Sequence, residues 1–199
     1  MIRKARYQIS WFYPCFFLLI LGSLSIDPGL KPAWAQQAFT TQRAVIHYDN
    51  PADLQEMERR LRFTQVDKLI FYTQDSAQAA LSPRLAAKIE GLLTKVSQIL
   101  NMWPKNPHAL RIILLKDEYQ VRQRHLLFNP LQERSLFGYD PVYAFYERRS
   151  HTVFLSLADL HEGILAHEMV HFVLCESFPV PPPTALQEEW ARYVENRLN

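Results

Sequence analysis

Cysteine, net charge and long apolar runs are all scarce in this chain. Only two cysteines stand among the 199 residues. Cys15 falls in a segment expected to be removed, so Cys175 is left without a partner and no intramolecular disulfide is possible. The formal net charge is only +2, too small for the electrostatic footprint of a nucleic-acid binder. The widest apolar span, residues 11–26, has 16 residues, short of the roughly 20 that cross a bilayer. It also contains Pro14, Gly22 and two serines. There is no internal repeat, and no low-complexity tract is longer than Pro181-Pro182-Pro183. A composition of 48% hydrophobic and 21% charged residues fits one globular domain and excludes a disordered or fibrous chain.

The first 35 residues have the pattern of a leader. Arg3, Lys4 and Arg6 precede the apolar run 16–26, and Ala33-Trp34-Ala35 offers a small-x-small cleavage site. We therefore expect residues 1–35 to be a cleaved signal peptide, with the product exported to the periplasm or secreted and no stable membrane span left. A retained anchor is the competing reading. Cleavage removes four basic residues and one acidic one, leaving 18 and 19 and a net charge of −1. The basicity belongs to the leader, and no nucleic-acid partner is expected. Residues 36–199 are expected to form a single compact domain, of unknown oligomeric state.

Along that domain, residues 44–48 read as a strand and 51–63 as a helix with Leu54, Met57 and Leu61 on one face. Residues 64–75 are ambiguous. Ser82 as N-cap and Pro83 at the first helical position open a long amphipathic helix that Pro104 and Pro107 end. Residues 110–115 (LRIILL) read as a buried strand, 117–127 as a helix, and 142–147 with 151–157 as a hairpin about Arg148-Arg149-Ser150.

The chemistry lies in the next two helices. The first spans about 159–176, with Asp159 as N-cap and Glu162 as its capping-box partner. It is apolar on nearly every side, so His167, Glu168 and His171 should be at least partly buried. At about 100° per residue the two histidines lie some 40° apart and one turn apart, so both rings can point at one atom. Glu168 falls about 60° from His171, beside that atom. His167-Glu168-Met169-Val170-His171 is thus the two-histidine zinc motif with a general-base glutamate, whose chance occurrence here is on the order of one in a hundred. The bland alternative is a pair of core histidines neutralised by Glu168. Burying such a cluster without firm partners costs about several kcal/mol, which a metal ion would offset.

A catalytic zinc needs a third protein ligand and an open position. Glu176 points about 140° away from His171 on the same helix. Cys175 lies in line with both histidines and reads as a small buried hydrophobe. The last helix, from Thr184 as N-cap with Gln187 as capping-box partner, offers better candidates in Glu188 and, second, Glu189, near the positive end of its dipole.

The motif at 167–171, followed after 16 residues by Glu188 in LQEEWARYVE, resembles the gluzincin branch of the His-Glu-x-x-His metallopeptidases, the thermolysin-like group. It is especially similar to small bacterial proteins of the peptidase MA type. The resemblance extends over most of residues 43–198. It implies an α+β, zincin-like fold: a small twisted mixed sheet packed on helices that include the metal-binding helix. It also implies Zn2+ held by His167, His171 and Glu188, with Glu168 as general base in peptide-bond hydrolysis of a peptide or protein substrate. Ala191 takes the position of a small residue packed near the metal helix, Tyr193 that of an aromatic, and the hairpin could lend an edge strand to an extended peptide. Gln187 and Glu189 depart from the family's Asn and Gly. Arg192 stands where a carboxylate usually orients a zinc histidine, which leaves that role to Glu195 or a backbone carbonyl. His151, Tyr143, Tyr146 and Tyr193 are unranked candidates for the oxyanion donor. A catalytically silent zinc domain that binds peptide or cell-envelope components is the alternative.

Overall fold

Alternation of apolar residues along short strands organises the molecule, whose computed structural model describes residues 37–62, 81–104, 110–129 and 141–198. All of these fall within one unit, Ala35–Asn199. The expected leader and the ambiguous stretch 64–75 lie outside the described residues.

Five strands form one mixed sheet in the order β1-β2-β3-β5-β4. They are β1 (Gln37–Thr40), β2 (Ala44–Tyr48), β3 (Leu110–Leu115), β4 (Ala144–Glu147) and β5 (Thr152–Ser156). The central strands β2, β3 and β5 run parallel, and β1 and β4 are antiparallel at the two edges. Among the described residues five helices accompany them: α1 (Pro51–Arg60), α2 (Leu81–Leu100), α3 (Glu118–Phe128), α4 (Glu162–Ser177) and α5 (Thr184–Leu198). The fold class is therefore α+β, as the sequence leads one to expect. Among the described residues no helix is long and apolar enough to cross a membrane.

Because side chains alternate across a strand, the sheet feeds two cores. Ile46, Leu110, Ile112, Leu114, Val153 and Leu155 join α1, α2, α4 and α5 in the larger one. Ile113, Leu115, Phe145 and Phe154 point to the other face and meet Val121 of α3. There Phe145 and Phe154, paired across β4 and β5, stack with centroids 4.7 Å apart. Helix α4 lies inside the larger core, with Leu165, Ala166, Met169, Val170, Phe172, Val173 and Leu174 all buried.

Several boundaries differ from the sequence reading for identifiable reasons. Strand β1 was unforeseen; its four residues QAFT are mostly exposed and carry almost no pattern. Helix α1 ends at Arg60, three residues before Phe63, with Leu61 N–H donating to Met57 O as its cap. Helix α2 begins at Leu81, which puts Ser82 inside the helix. It stops at Asn101, whose φ of 52° is left-handed, before either proline. Met102 N–H donates to Ser97 O and Asn101 N–H to Gln98 O, a Schellman ending with Asn in the place glycine usually takes.

Helix α4 starts at Glu162, and its N-cap is His161, whose Nδ1 accepts from Ile164 N–H. Asp159 is withdrawn from capping by the Ser156 hydroxyl, which donates to its carboxylate at 2.5 Å. Helix α5 includes Thr184 as its first residue, and the Pro183 carbonyl accepts from Leu186 and Gln187 N–H. Gln187 is thereby released from the capping-box role expected of it.

Candidate functional site

Helices α4 and α5 pack against each other, and their contact brings the sequence-predicted donors together. His167 and His171 project from one face of α4, with ring centroids 5.3 Å apart. Glu188, in the second turn of α5, presents its carboxylate to both. Oε2 is 3.2 Å from His167 Nε2, and Oε1 is 3.4 Å from His171 Nε2. One donor atom from each of the three residues lies within 4.8 Å of the others. Four ligands at about 2.0–2.1 Å in a tetrahedron lie about 3.3 Å from one another, close to the 3.2 and 3.4 Å that separate the Glu188 oxygens from the two ring nitrogens. Glu189, the second choice for third ligand, is exposed.

The hydrogen-bond network around these rings decides what sits between them. Gln187 Nε2 donates to Pro182 O at 2.7 Å, which turns Gln187 Oε1, an acceptor, toward His171 Nδ1 at 3.1 Å. The tautomer with the proton on His171 Nδ1 satisfies Gln187 Oε1 and leaves Nε2 with a lone pair on the side of the Glu188 carboxylate. Glu195 Oε2 stands 3.7 Å from His167 Nδ1, a charge contact beyond hydrogen-bond reach. Protonating His171 a second time is opposed by burial, which holds its pKa below 6.5, and by the neighbouring His167; hydrogen bonding to Gln187 and the charge of Glu188 act the other way. His167 Nε2 is also within hydrogen-bond distance of Glu188 Oε2, so either a proton or a metal cation can lie between ring and carboxylate.

Glu168 is 7% exposed and stands beside this group. Its carboxyl is pushed up to about 8, chiefly by burial and then by the charge of Glu188, against the opposing effect of a hydrogen bond from Tyr146 N–H. That bond ties the helix to β4, the sheet's edge strand. Tyr143 O accepts from Ser156 N–H on the β5 side, so by the antiparallel alternation the backbone groups of Ala144 turn the other way, toward the metal donors.

Two clefts meet here, and both are lined by Val142, Ala144, His167 and Glu168. One, of about 290 Å³, is completed by Pro141, Tyr143, Ile164 and Glu195. The other, of about 550 Å³, runs past His171 and Glu188 to Tyr146, Arg148 and Cys175.

The remaining sequence candidates have separate fates. Glu176 is buried and paired with His151 Nδ1 at 2.9 Å, away from the metal donors. Cys175 is half-buried on the cleft wall rather than buried as a hydrophobe. The Tyr146 hydroxyl is 3.2 Å from His151 Nδ1 and also bonds Cys175, and burial raises it above its ordinary range. Tyr193 is exposed, with the Arg197 guanidinium 4.5 Å above its ring. Tyr143 lines the smaller cleft. Ala191 is fully buried in the larger core, Arg192 is exposed, and Glu195 approaches His167. Gly163 makes room for that approach, since a Cβ there would lie 3.0 Å from Glu195 Oε1. Gln187, read from the sequence only as a cap and a departure from the family, is the residue whose role was missed. Its one visible signal was its place directly before Glu188. No family model, curated protein or solved structure matches this chain.

Proposed function

We propose that this protein is an exported zinc-dependent peptidase of the gluzincin type. The observation that carries the reading is the convergence of His167 Nε2 and His171 Nε2 on one carboxylate, that of Glu188, at 3.2 and 3.4 Å. Such a set calls for a cation, and two imidazoles with one carboxylate are the ligand chemistry of catalytic zinc. When bound, zinc supplies Lewis-acid polarisation of water and of a carbonyl.

The chain's own residues supply the rest. Gln187 holds the His171 ring through its Nδ1, and the Glu195 carboxylate stands near His167 Nδ1. Glu168, buried beside the donors, accepts a proton from water and returns it to the departing amine. A carboxyl that titrates near neutrality suits both steps, and a bound dication would draw it lower. The outward-facing backbone of Ala144 suits an extended peptide added along β4, and the surrounding apolar residues keep Glu168 out of bulk water.

A catalytically silent zinc domain that binds peptide is favoured by one observation. Of the four candidate oxyanion donors, His151 and Tyr146 are engaged with partners away from the donors and Tyr193 faces solvent. Only Tyr143 lines a cleft with its hydroxyl uncommitted to any described residue. Metal content and turnover separate these readings. We expect one zinc per chain in the parent and in Glu168→Gln, and peptide hydrolysis in the parent alone. Much less than one zinc overturns both readings, and equal turnover in the two proteins removes Glu168 as the base.

A further inference from the structure

The larger cleft does not end at the metal donors. It continues along β4 to the turn that joins β4 to β5, where Arg148 lies on its wall. Among the described residues lining this cleft, Arg148 carries the only guanidinium or ammonium group. His125, the other basic side chain there apart from the two zinc-site histidines, is held below its ordinary pKa by burial and is neutral at pH 7. The acids nearest the turn have other partners. Glu147 accepts from Arg149 N–H at 2.9 Å and from the N–H and hydroxyl of Ser150 at 2.7 and 2.5 Å. Glu176 is paired with His151. No hydrogen bond or ion pair joins the Arg148 guanidinium to a described residue. Its charge is nonetheless felt inside the cleft, where it opposes the burial that pushes the Cys175 thiol up.

An exposed guanidinium on the wall of a groove, with no partner among the described residues, is matched to a carboxylate, which it can bind through two parallel N–H···O bonds. We propose that Arg148 is a specificity-determining residue, and that this end of the cleft takes a carboxylate of the bound peptide. The proposal rests on the reading of the cleft as a peptide site. The acids at the opposite end, Glu168 and Glu188, disfavour the same carboxylate close to the metal donors, so the charge must sit some residues away from the bond to be cut. The apolar Pro141, Tyr143 and Ile164 of the smaller cleft take an uncharged side chain on the other side of it.

The carboxylate can come from an Asp or Glu side chain or from a peptide C-terminus. Three fluorescent peptides distinguish these: one amidated with an internal Glu, the same with Gln, and the Gln peptide with a free C-terminus. Binding is measured by fluorescence anisotropy to the full chain kept metal-free with chelator, so that cleavage does not interfere. Either or both carboxylate peptides should bind about fivefold tighter than the neutral one, and the one that does identifies the source. The advantage should vanish in Arg148→Ala, persist in part in Arg148→Lys, shrink with salt, and turn into preference for a Lys peptide in Arg148→Glu. Equal binding of all three peptides, a preference that survives Arg148→Ala, or no binding of any peptide overturns the proposal. An Arg148-dependent preference in a protein that takes up no zinc sinks the peptidase reading and leaves this one standing. Zinc-dependent cleavage without the preference does the reverse.

Discussion

Replacing Gln187 tests whether the chain orients a histidine for a metal. Gln187→Met keeps the length of the side chain and removes both polar atoms, the acceptor 3.1 Å from His171 Nδ1 and the donor 2.7 Å from Pro182 O. Two hydrogen bonds at about 1 kcal/mol net each put the loss of folding stability near 2 kcal/mol. The effect on metal should be of another kind. Without an acceptor at Nδ1, the His171 proton is free to move to Nε2, the nitrogen that faces Glu188, and the ring is free to turn. Loss of such an outer partner lowers metal affinity about ten- to a hundredfold, or about 1.4–2.7 kcal/mol. Gln187→Glu keeps an acceptor for His171 Nδ1 while losing the donor to Pro182 O, so it should bind metal more tightly than Gln187→Met.

The assay is competition for zinc against a chelator of known affinity, at fixed pH, with urea unfolding of the metal-free proteins alongside. Weak binding in the Met variant, retained binding in the Glu variant and similar unfolding in the two would assign the effect to tautomer and orientation. If Gln187→Met binds zinc within about twofold of the parent, the network does not prepare His171 for a metal, and the lone-pair reasoning fails with it.

Glu195→Gln should weaken zinc by less than Gln187→Met, because Glu195 stands 3.7 Å from His167 Nδ1, and the same competition assay ranks the two. Gly163→Ala should lower zinc affinity a few-fold through displacement of Glu195, whose Oε1 would be 3.0 Å from the new Cβ; unchanged affinity would mean that Glu195 does not support His167. Phe172→Ala empties a site that is 2% exposed and should cost about 3–5 kcal/mol in denaturant unfolding. Metal-free protein should lose stability as pH rises from 4.5 toward 8, because Glu168 has its folded pKa raised to about 8 and the folded state therefore holds a proton that the unfolded state has released. Glu168→Gln should flatten that slope; if the slope is unchanged, Glu168 does not titrate as described.

How far the sequence could be read depended on whether a residue's role was set by its own helix or by another element. His167, Glu168 and His171 were legible because four-residue spacing on a helix fixes their directions whatever surrounds them. Glu188 was legible as a carboxylate at the start of a helix, although only the packing of α5 on α4 decides that it reaches both rings. Gln187 was not, because its partners are a carbonyl in the preceding loop and a ring on another helix. The same applies to the cap of α4: Asp159 and His161 can both accept from a helix N-terminus, and the Ser156 hydroxyl at the end of β5 takes Asp159 out of the competition.

Glu90 shows the opposite pH dependence from Glu168, and the contrast follows from partners rather than burial. Burial alone would raise its carboxyl, but Oε1 accepts from Thr41 Oγ1 and Arg43 N–H at 2.7 Å each, and Oε2 from Arg43 Nε at 2.6 Å, which together hold it below the ordinary 4.5. Its folded pKa is therefore lower than its unfolded one. The stabilisation is present above the unfolded value and is lost as pH falls through the folded value. These bonds clamp the loop between β1 and β2 onto α2. Glu90→Gln keeps the shape and removes the charge, so it should cost about 1–2 kcal/mol at neutral pH and nothing at pH values where the parent carboxyl is protonated. Urea unfolding of both proteins across the acid range checks this. A difference that stays constant down the whole range would place the effect in packing at Glu90 and not in its ionisation.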